Sequence, residues 1–144
     1  MSEVLYQGDS IITPYKPFFG LSHHAIFAET CSQGINWAIH NIPGKGVCWI
    51  KLDDLLANGY ERIERFVGSE FERAEVIKRA KSMLGKPYSL LKFNCEHLAQ
   101  YAQTKICESE QVNSAKRIVK FGLICIAIWI GYRLWLQNSN NQNK

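Results

Sequence analysis

Asn94-Cys95-Glu96-His97-Leu98 is the stretch on which the reading of this chain turns. It follows a turn-rich segment, Gly85-Lys86-Pro87-Tyr88-Ser89, and opens a short helix expected from Cys95 to about Thr104. Cys95, Leu98, Ala99 and Ala102 recur at i, i+3, i+4 and i+7, so they share one helical face. That spacing directs the thiol toward the body of the domain. Its place in the first turn also sets it among unpaired backbone N–H groups, where the helix dipole favours an anion. A helix start is one of the few places where a protein lowers a thiol pKa and makes a nucleophile. His97 lies two positions on, roughly 200° around the helix, and is expected to point away from the thiol.

Working upstream, Ser69 with Glu72 reads as a capping box that opens a helix to about Leu84, which Gly85 ends. Before it the pattern is that of strands. Ser10–Thr13, His23–Phe27, Ile35–His40 and Val47–Leu52 alternate between turn signals, of which Pro43-Gly44-Lys45-Gly46 is the strongest. Asp53–Leu56 reads as one helical turn, and Tyr60–Val67 as a returning strand. Phe18, Phe19 and Leu21 sit in a loop before the second strand, suited either to the core or to a lipid surface.

The strand register brings histidines together. His23 or His24 begins one strand and His40 ends the next; if the two pair as a hairpin, these ends meet. A thiol, an imidazole and a polar group fixing that imidazole make the arrangement of a nucleophile, its base and the base's orienter. Side chains alternate across a sheet, so only one of His23 and His24 can face the helix that carries Cys95.

Composition bounds the alternatives. In 144 residues, 47% apolar and 21% charged describe one globular domain. The net charge of +4 is spread along the chain without a dense basic run, which argues against a nucleic-acid partner. The cysteines are Cys31, Cys48, Cys95, Cys107 and Cys125: odd in number, irregular in spacing, and with no secretory signal ahead of them. A reducing compartment is expected, and neither a structural metal nor a cofactor is implied.

Downstream, Cys107–Ser114 reads as a polar linker. Phe121–Tyr132 then runs twelve residues without a charge. Extended from Ile118 to Leu136 it nears the ~20 residues that cross hydrocarbon. Lys120 and Arg133 lie near its ends, and Trp129, Tyr132 and Trp135 toward one interface. Lys116, Arg117 and Lys120 place its N-terminal side, and the domain before it, in the cytoplasm. The expected organisation is a catalytic domain over 1–113, a single-pass anchor over 114–137 and a polar tail over 138–144.

His23-His24-Ala25-Ile26-Phe27 resembles the His-Trp-Ala-Ile-Tyr box of the lecithin–retinol acyltransferase family, with His24 in place of the Trp. Phe93-Asn94-Cys95-Glu96-His97-Leu98 resembles that family's Asn-Cys-Glu-His-Phe box, and Gln7-Gly8-Asp9 its Pro-Gly-Asp opening. The order of the boxes is the same, and the nearest branch in kind is that of the HRAS-like suppressor phospholipase/acyltransferases. The resemblance implies an α+β fold: a permuted papain-like, NlpC-like core in which a small antiparallel sheet packs on helices, with a C-terminal hydrophobic helix added. It implies Cys95 as nucleophile, His23 as base and His40 as the residue orienting His23. The activity implied is that of a membrane-anchored phospholipase A/acyltransferase that attacks a glycerophospholipid through a thioester. The acyl acceptor would be water, an amine or a lysolipid. A thiol peptidase or amidase, or a tethered module without catalysis, would use the same boxes.

Overall fold

The computed structural model describes residues 4–15, 21–57 and 59–142, with side chains to residue 132. Phe18 and Phe19 lie outside the described residues. The chain divides into two units, Met1–Ser109 and Glu110–Lys144.

The first unit is α+β. Its elements are β1 (Ser10–Pro14), β2 (Ser22–Thr30), β3 (Asn36–Ile42), β4 (Gly46–Lys51), α1 (Leu52–Leu56), β5 (Arg62–Glu64), α2 (Glu70–Ser82) and α3 (Cys95–Thr104). The strands form one antiparallel sheet in the order β4-β3-β2-β1-β5. The meander follows from short connections, and β5 closes the far side by pairing Arg62–Glu64 with Ser10–Ile12.

Each face of the sheet buries its own core. Ile26, Ala28, Ile39 and Val47 pack with Val76, Ile77 and Ala80 of α2 and with Leu98, Ala99 and Ala102 of α3. Ile11, Ala25, Phe27 and Ala38 pack with Leu52 and Leu55 of α1. The Val, Leu, Ile and Phe side chains among them contribute about 1.5–3 kcal/mol each when fully buried. The double burial explains why β2 and β3 are apolar at successive positions rather than only at alternate ones.

Three boundaries differ from the sequence reading. β2 continues through Ala28 to Thr30, because a bulge between Phe27 and Glu29 lets the strand shift register and keep pairing with β3. The returning strand shrinks to three residues. The expected linker is helical from Glu110 onward: α4 (Glu110–Gln142) starts ahead of the anchor's expected start at residue 114. No helix among the described residues is long and apolar enough to cross a membrane. The last part of the expected anchor, 133–137 with Trp135, falls beyond the described side chains.

The loop between α2 and α3 is fastened to the sheet. Val47 N–H donates to the Lys86 carbonyl at 3.0 Å, and Gly85 N–H to the Val47 carbonyl at 2.9 Å. This approach needs glycine at 46, where φ is +75° and a Cβ would stand 2.4 Å from the Lys86 oxygen. Asn41 Nδ2, fully buried on β3, donates to the Phe93 carbonyl at 2.7 Å and fixes the other end of the loop.

Candidate active site

Asn94 caps α3. Its Oδ1 accepts from His97 N–H at 3.0 Å, and its own N–H donates to His97 Nδ1 at 3.2 Å. Histidine here takes the role that Glu or Gln has in the usual capping box. His97 is thus buried and structural; the sequence reading turned it away from the thiol and gave it no partner. Glu96 is buried too, and Ser109 Oγ donates to its Oε2 at 2.5 Å while Asn94 Nδ2 donates to Ser109 Oγ at 3.4 Å. Nothing in the local periodicity signalled this use of Ser109, thirteen residues away in sequence.

Cys95 is buried at the first turn. Leu98, Ala99 and Ala102 join the core as their spacing implied, whereas Cys95 stays at its margin, against the β2 backbone. Burial raises its thiol above the ordinary value, and the backbone N–H groups of His24 and Glu96 offset only part of that rise. The expectation of a thiol lowered by the helix start is therefore corrected: desolvation outweighs the dipole.

The histidines meet as the hairpin register required. Ala25 pairs with His40, and His23 Nε2 lies 3.0 Å from His40 Nδ1, both rings buried. The rings are edge to face, and Tyr15 lies over His23 with 6.1 Å between ring centroids. Burial, reinforced by His40 and His24, pushes His23 down to about 3. Burial and the Lys45 ammonium push His40 down to about 4. Both imidazoles are neutral at neutral pH.

Alternation answers the question of His23 against His24 in an unexpected way. Ile26 and Ala28 face α2 and α3, so His24 shares that face, and the charge of Glu96 on α3 acts on it. His23 shares the other face with Ala25 and His40. Among the described residues no hydrogen bond joins the Cys95 sulfur to His23 or His40. The sulfur lies instead at the His24 N–H, one residue along the strand from His23. Tyr88 is half-buried nearby; burial raises its hydroxyl pKa, and Cys95 and Tyr15 raise it further.

The sequence reading missed Asp9 as a structural residue. Its side chain is fully buried, with Arg65 Nη1 at 2.7 Å and Arg73 Nη1 at 2.9 Å, and it accepts from Tyr6 N–H and Phe66 N–H. Burial alone would raise its pKa; the hydrogen bonds from Arg73, Arg65 and the backbone outweigh burial and hold it below the ordinary carboxylate range. Gln103 of α3 donates to the Gly8 carbonyl at 2.8 Å, so this node also touches the helix that carries Cys95. Among the described residues, no group of three or more His, Cys, Asp or Glu is placed to hold a metal.

A capped helix bearing a thiol at its first turn, laid on a five-stranded antiparallel sheet that carries a bonded histidine pair, defines an α+β protein. The family follows from the sequence: a sequence model of the lecithin retinol acyltransferase family matches residues 29–107, just over half of the chain, and the chain belongs to that family of acyltransferases. The match takes in His40 and Cys95 and begins after His23. No curated protein and no solved structure matches the chain.

Proposed function

We propose that the protein is a cysteine-dependent phospholipid acyl hydrolase and acyltransferase of the HRAS-like suppressor kind, with a permuted NlpC-like core and a thioester intermediate. The carrying observation is the buried thiol at a capped helix start, one strand residue from a buried histidine pair. Cys95 is the nucleophile, His23 the base and His40 the residue that orients the base. The His23–His40 contact accommodates the tautomer this needs, which we assign with the proton on His23 Nε2. His23 Nε2–H donates to His40 Nδ1, which leaves the His23 Nδ1 lone pair to take a proton. His40, with its lowered pKa, stays neutral and acts as an acceptor.

With the thiol raised and the imidazole lowered, the resting pair is uncharged. The thiol proton therefore moves to His23 as sulfur attacks the ester carbonyl, rather than beforehand. The Cys95 N–H at the helix start is the donor we assign to the resulting oxyanion. Collapse breaks the ester C–O bond, His23 returns the proton to the leaving alkoxide, and a lysolipid departs. Water, an amine or another lysolipid then attacks the thioester. His23 removes the acceptor's proton, and the thiol is regenerated. Sulfur must swing toward His23 for the first step, since catalytic hydrogen bonds are often unmade without substrate.

The apolar run in α4 would hold the enzyme at a membrane with the catalytic unit on the cytoplasmic side, which raises the local concentration of its substrate. The test is mass spectrometry after mixing with phosphatidylcholine vesicles, beside Cys95→Ala. An acyl mass on Cys95 with released lysolipid is expected. Absence of both from folded protein would overturn the reading and leave a peptidase or a non-catalytic module to be tested.

A further inference from the structure

The loop that leads into Cys95 has a feature that the thiol chemistry does not use. Ser89 and Phe93 exchange two backbone hydrogen bonds, 3.0 and 2.8 Å, which close a tight turn. Leu90 and Leu91 stand at its tip, each 59% exposed, whereas Leu98 of α3 and Leu52 and Leu55 of α1 are buried. Lys92 is exposed beside them, as is Lys86, whose Nζ lies 3.7 Å from the centroid of the Phe93 ring. The contact of Gly46 with Lys86 brings the β3–β4 turn, with exposed Lys45, to the same edge. No Asp or Glu occurs from Met83 to Asn94. The turn is also coupled to the site: the Leu90 carbonyl accepts from Asn94 Nδ2 at 3.2 Å, and Asn94 caps the Cys95 helix.

We propose that the Leu90-Leu91 tip inserts into the surface of an anionic bilayer, with Lys86, Lys92 and Lys45 on the headgroups. Two apolar side chains on a closed turn, with Lys92 beside them and Lys86 against Phe93 at the turn's end, in a stretch without an acid, have the chemistry of such a surface. The inference rests on the lipid-ester reading above and adds how the ester reaches the thiol. Insertion would set the start of α3 at the interface, within a few residues of the acyl layer, so that a lipid need not leave the bilayer fully to meet Cys95. The wedge is independent of α4, which can hold the chain at a membrane without orienting the site.

The measurement is hydrogen–deuterium exchange on the full chain in buffer, with phosphatidylcholine vesicles, and with vesicles containing phosphatidylserine. The amides of Leu90–Lys92 should slow at least about tenfold on the anionic vesicles and less on the neutral ones, while those of α1 stay unchanged. The double variant Leu90→Ser/Leu91→Ser should cut turnover of vesicle lipid at least about tenfold. It should leave unchanged the acylation of Cys95 by a monomeric short-chain lipid ester. Unaltered exchange at the tip in vesicle-bound protein, failure to bind anionic vesicles, or a tip already protected in buffer would each overturn the proposal; the last would show that another part of the chain covers it. Failure of the wild type to acylate from the soluble ester would count against the lipid-ester reading instead. The exchange measurement needs no variant, so it decides even if the double variant does not fold.

Discussion

Two of the buried groups of titratable side chains among the described residues are kept in opposite charge states. Asp9 is held ionised by two guanidinium groups and two backbone N–H groups, with its carboxylate oxygens fully engaged. His23 and His40 are held neutral by burial, and among the described residues no carboxylate acts on either ring to compensate a charge. A group saturated with partners of opposite charge has little left to exchange, and it serves as a rivet. A neutral imidazole with one nitrogen bonded and a lowered pKa can take a proton only when a negative charge develops beside it. That is the property a base needs if it is to act in concert with attack by a thiol. The contrast marks Asp9 as architecture and fits the role proposed for the histidines.

The sharpest way to break this comparison is to separate the two neighbouring histidines. His23→Gln should lower acyl-transfer turnover by about 10²–10⁴-fold, as loss of a general base does. His24→Gln should cost no more than several-fold, because its ring lies on the α3 face near Glu96 rather than with His40. The reverse ranking, measured as kcat/KM on one lipid, would move the base to His24 and leave the His23–His40 pair as packing.

Asp9→Asn should be a stability variant. It leaves Arg65 and Arg73 facing a neutral amide, and removing one partner of a buried ion pair costs about 3–5 kcal/mol. Urea denaturation should show that loss, while turnover per folded molecule stays near the wild-type value. A large fall in turnover with unchanged stability would mean that the node acts on the site through the Gln103 contact with Gly8.

The difference between the clusters also separates what the sequence could disclose from what it could not. The strands, the Cys95 helix and the meeting of His23 with His40 were legible, because periodicity and hairpin register are local signals. The helix start at Cys95 was legible, yet its cap at Asn94 and the closing of the box by His97 were not read, since histidine is not the usual partner. Asp9, Asn41 and Ser109 were opaque for one reason: each is a polar residue whose partner is distant in sequence, and only the folded chain supplies it. The direction of the Cys95 shift failed for a related reason. The helix start is visible in sequence, but the depth of burial that outweighs it is not.

Acid should expose the histidine cluster more than the carboxylate one. Both histidines have folded pKa values depressed below the ordinary 6.5, to about 3 and about 4. Between those values and 6.5 the unfolded chain binds more protons than the folded one, so their contribution to stability is present above 6.5 and drains away as pH falls. Each group can contribute a slope of up to about 1.4 kcal/mol per pH unit. The Asp9 contribution is lost only lower, as pH falls through the ordinary carboxylate value toward its depressed folded one. Urea midpoints should therefore decline from about pH 6.5, and His23→Gln should flatten that decline while Asp9→Asn leaves it. Alkylation of Cys95 by iodoacetamide should rise steadily with pH and show no inflection near neutrality, as fits a raised thiol pKa. An inflection near pH 6 would restore a thiolate–imidazolium pair at rest.

The smallest effect concerns the clasp behind Cys95. Ser109 joins Glu96 to Asn94, so it ties the segment before α4 to the cap of the Cys95 helix. Ser109→Ala removes one hydrogen bond to a buried carboxylate and should cost about 1–3 kcal/mol. If the clasp only packs the domain, turnover at saturating lipid should not change once the protein is folded. If it holds Cys95 against the β2 backbone, kcat should fall a few-fold with KM unchanged, and Ser109→Thr, which keeps the hydroxyl, should recover most of it. Equal losses in the Ala and Thr variants would show that volume at this buried site matters more than the bond. The position of Cys95 against the β2 backbone would then rest on the Asn94 cap and the sheet.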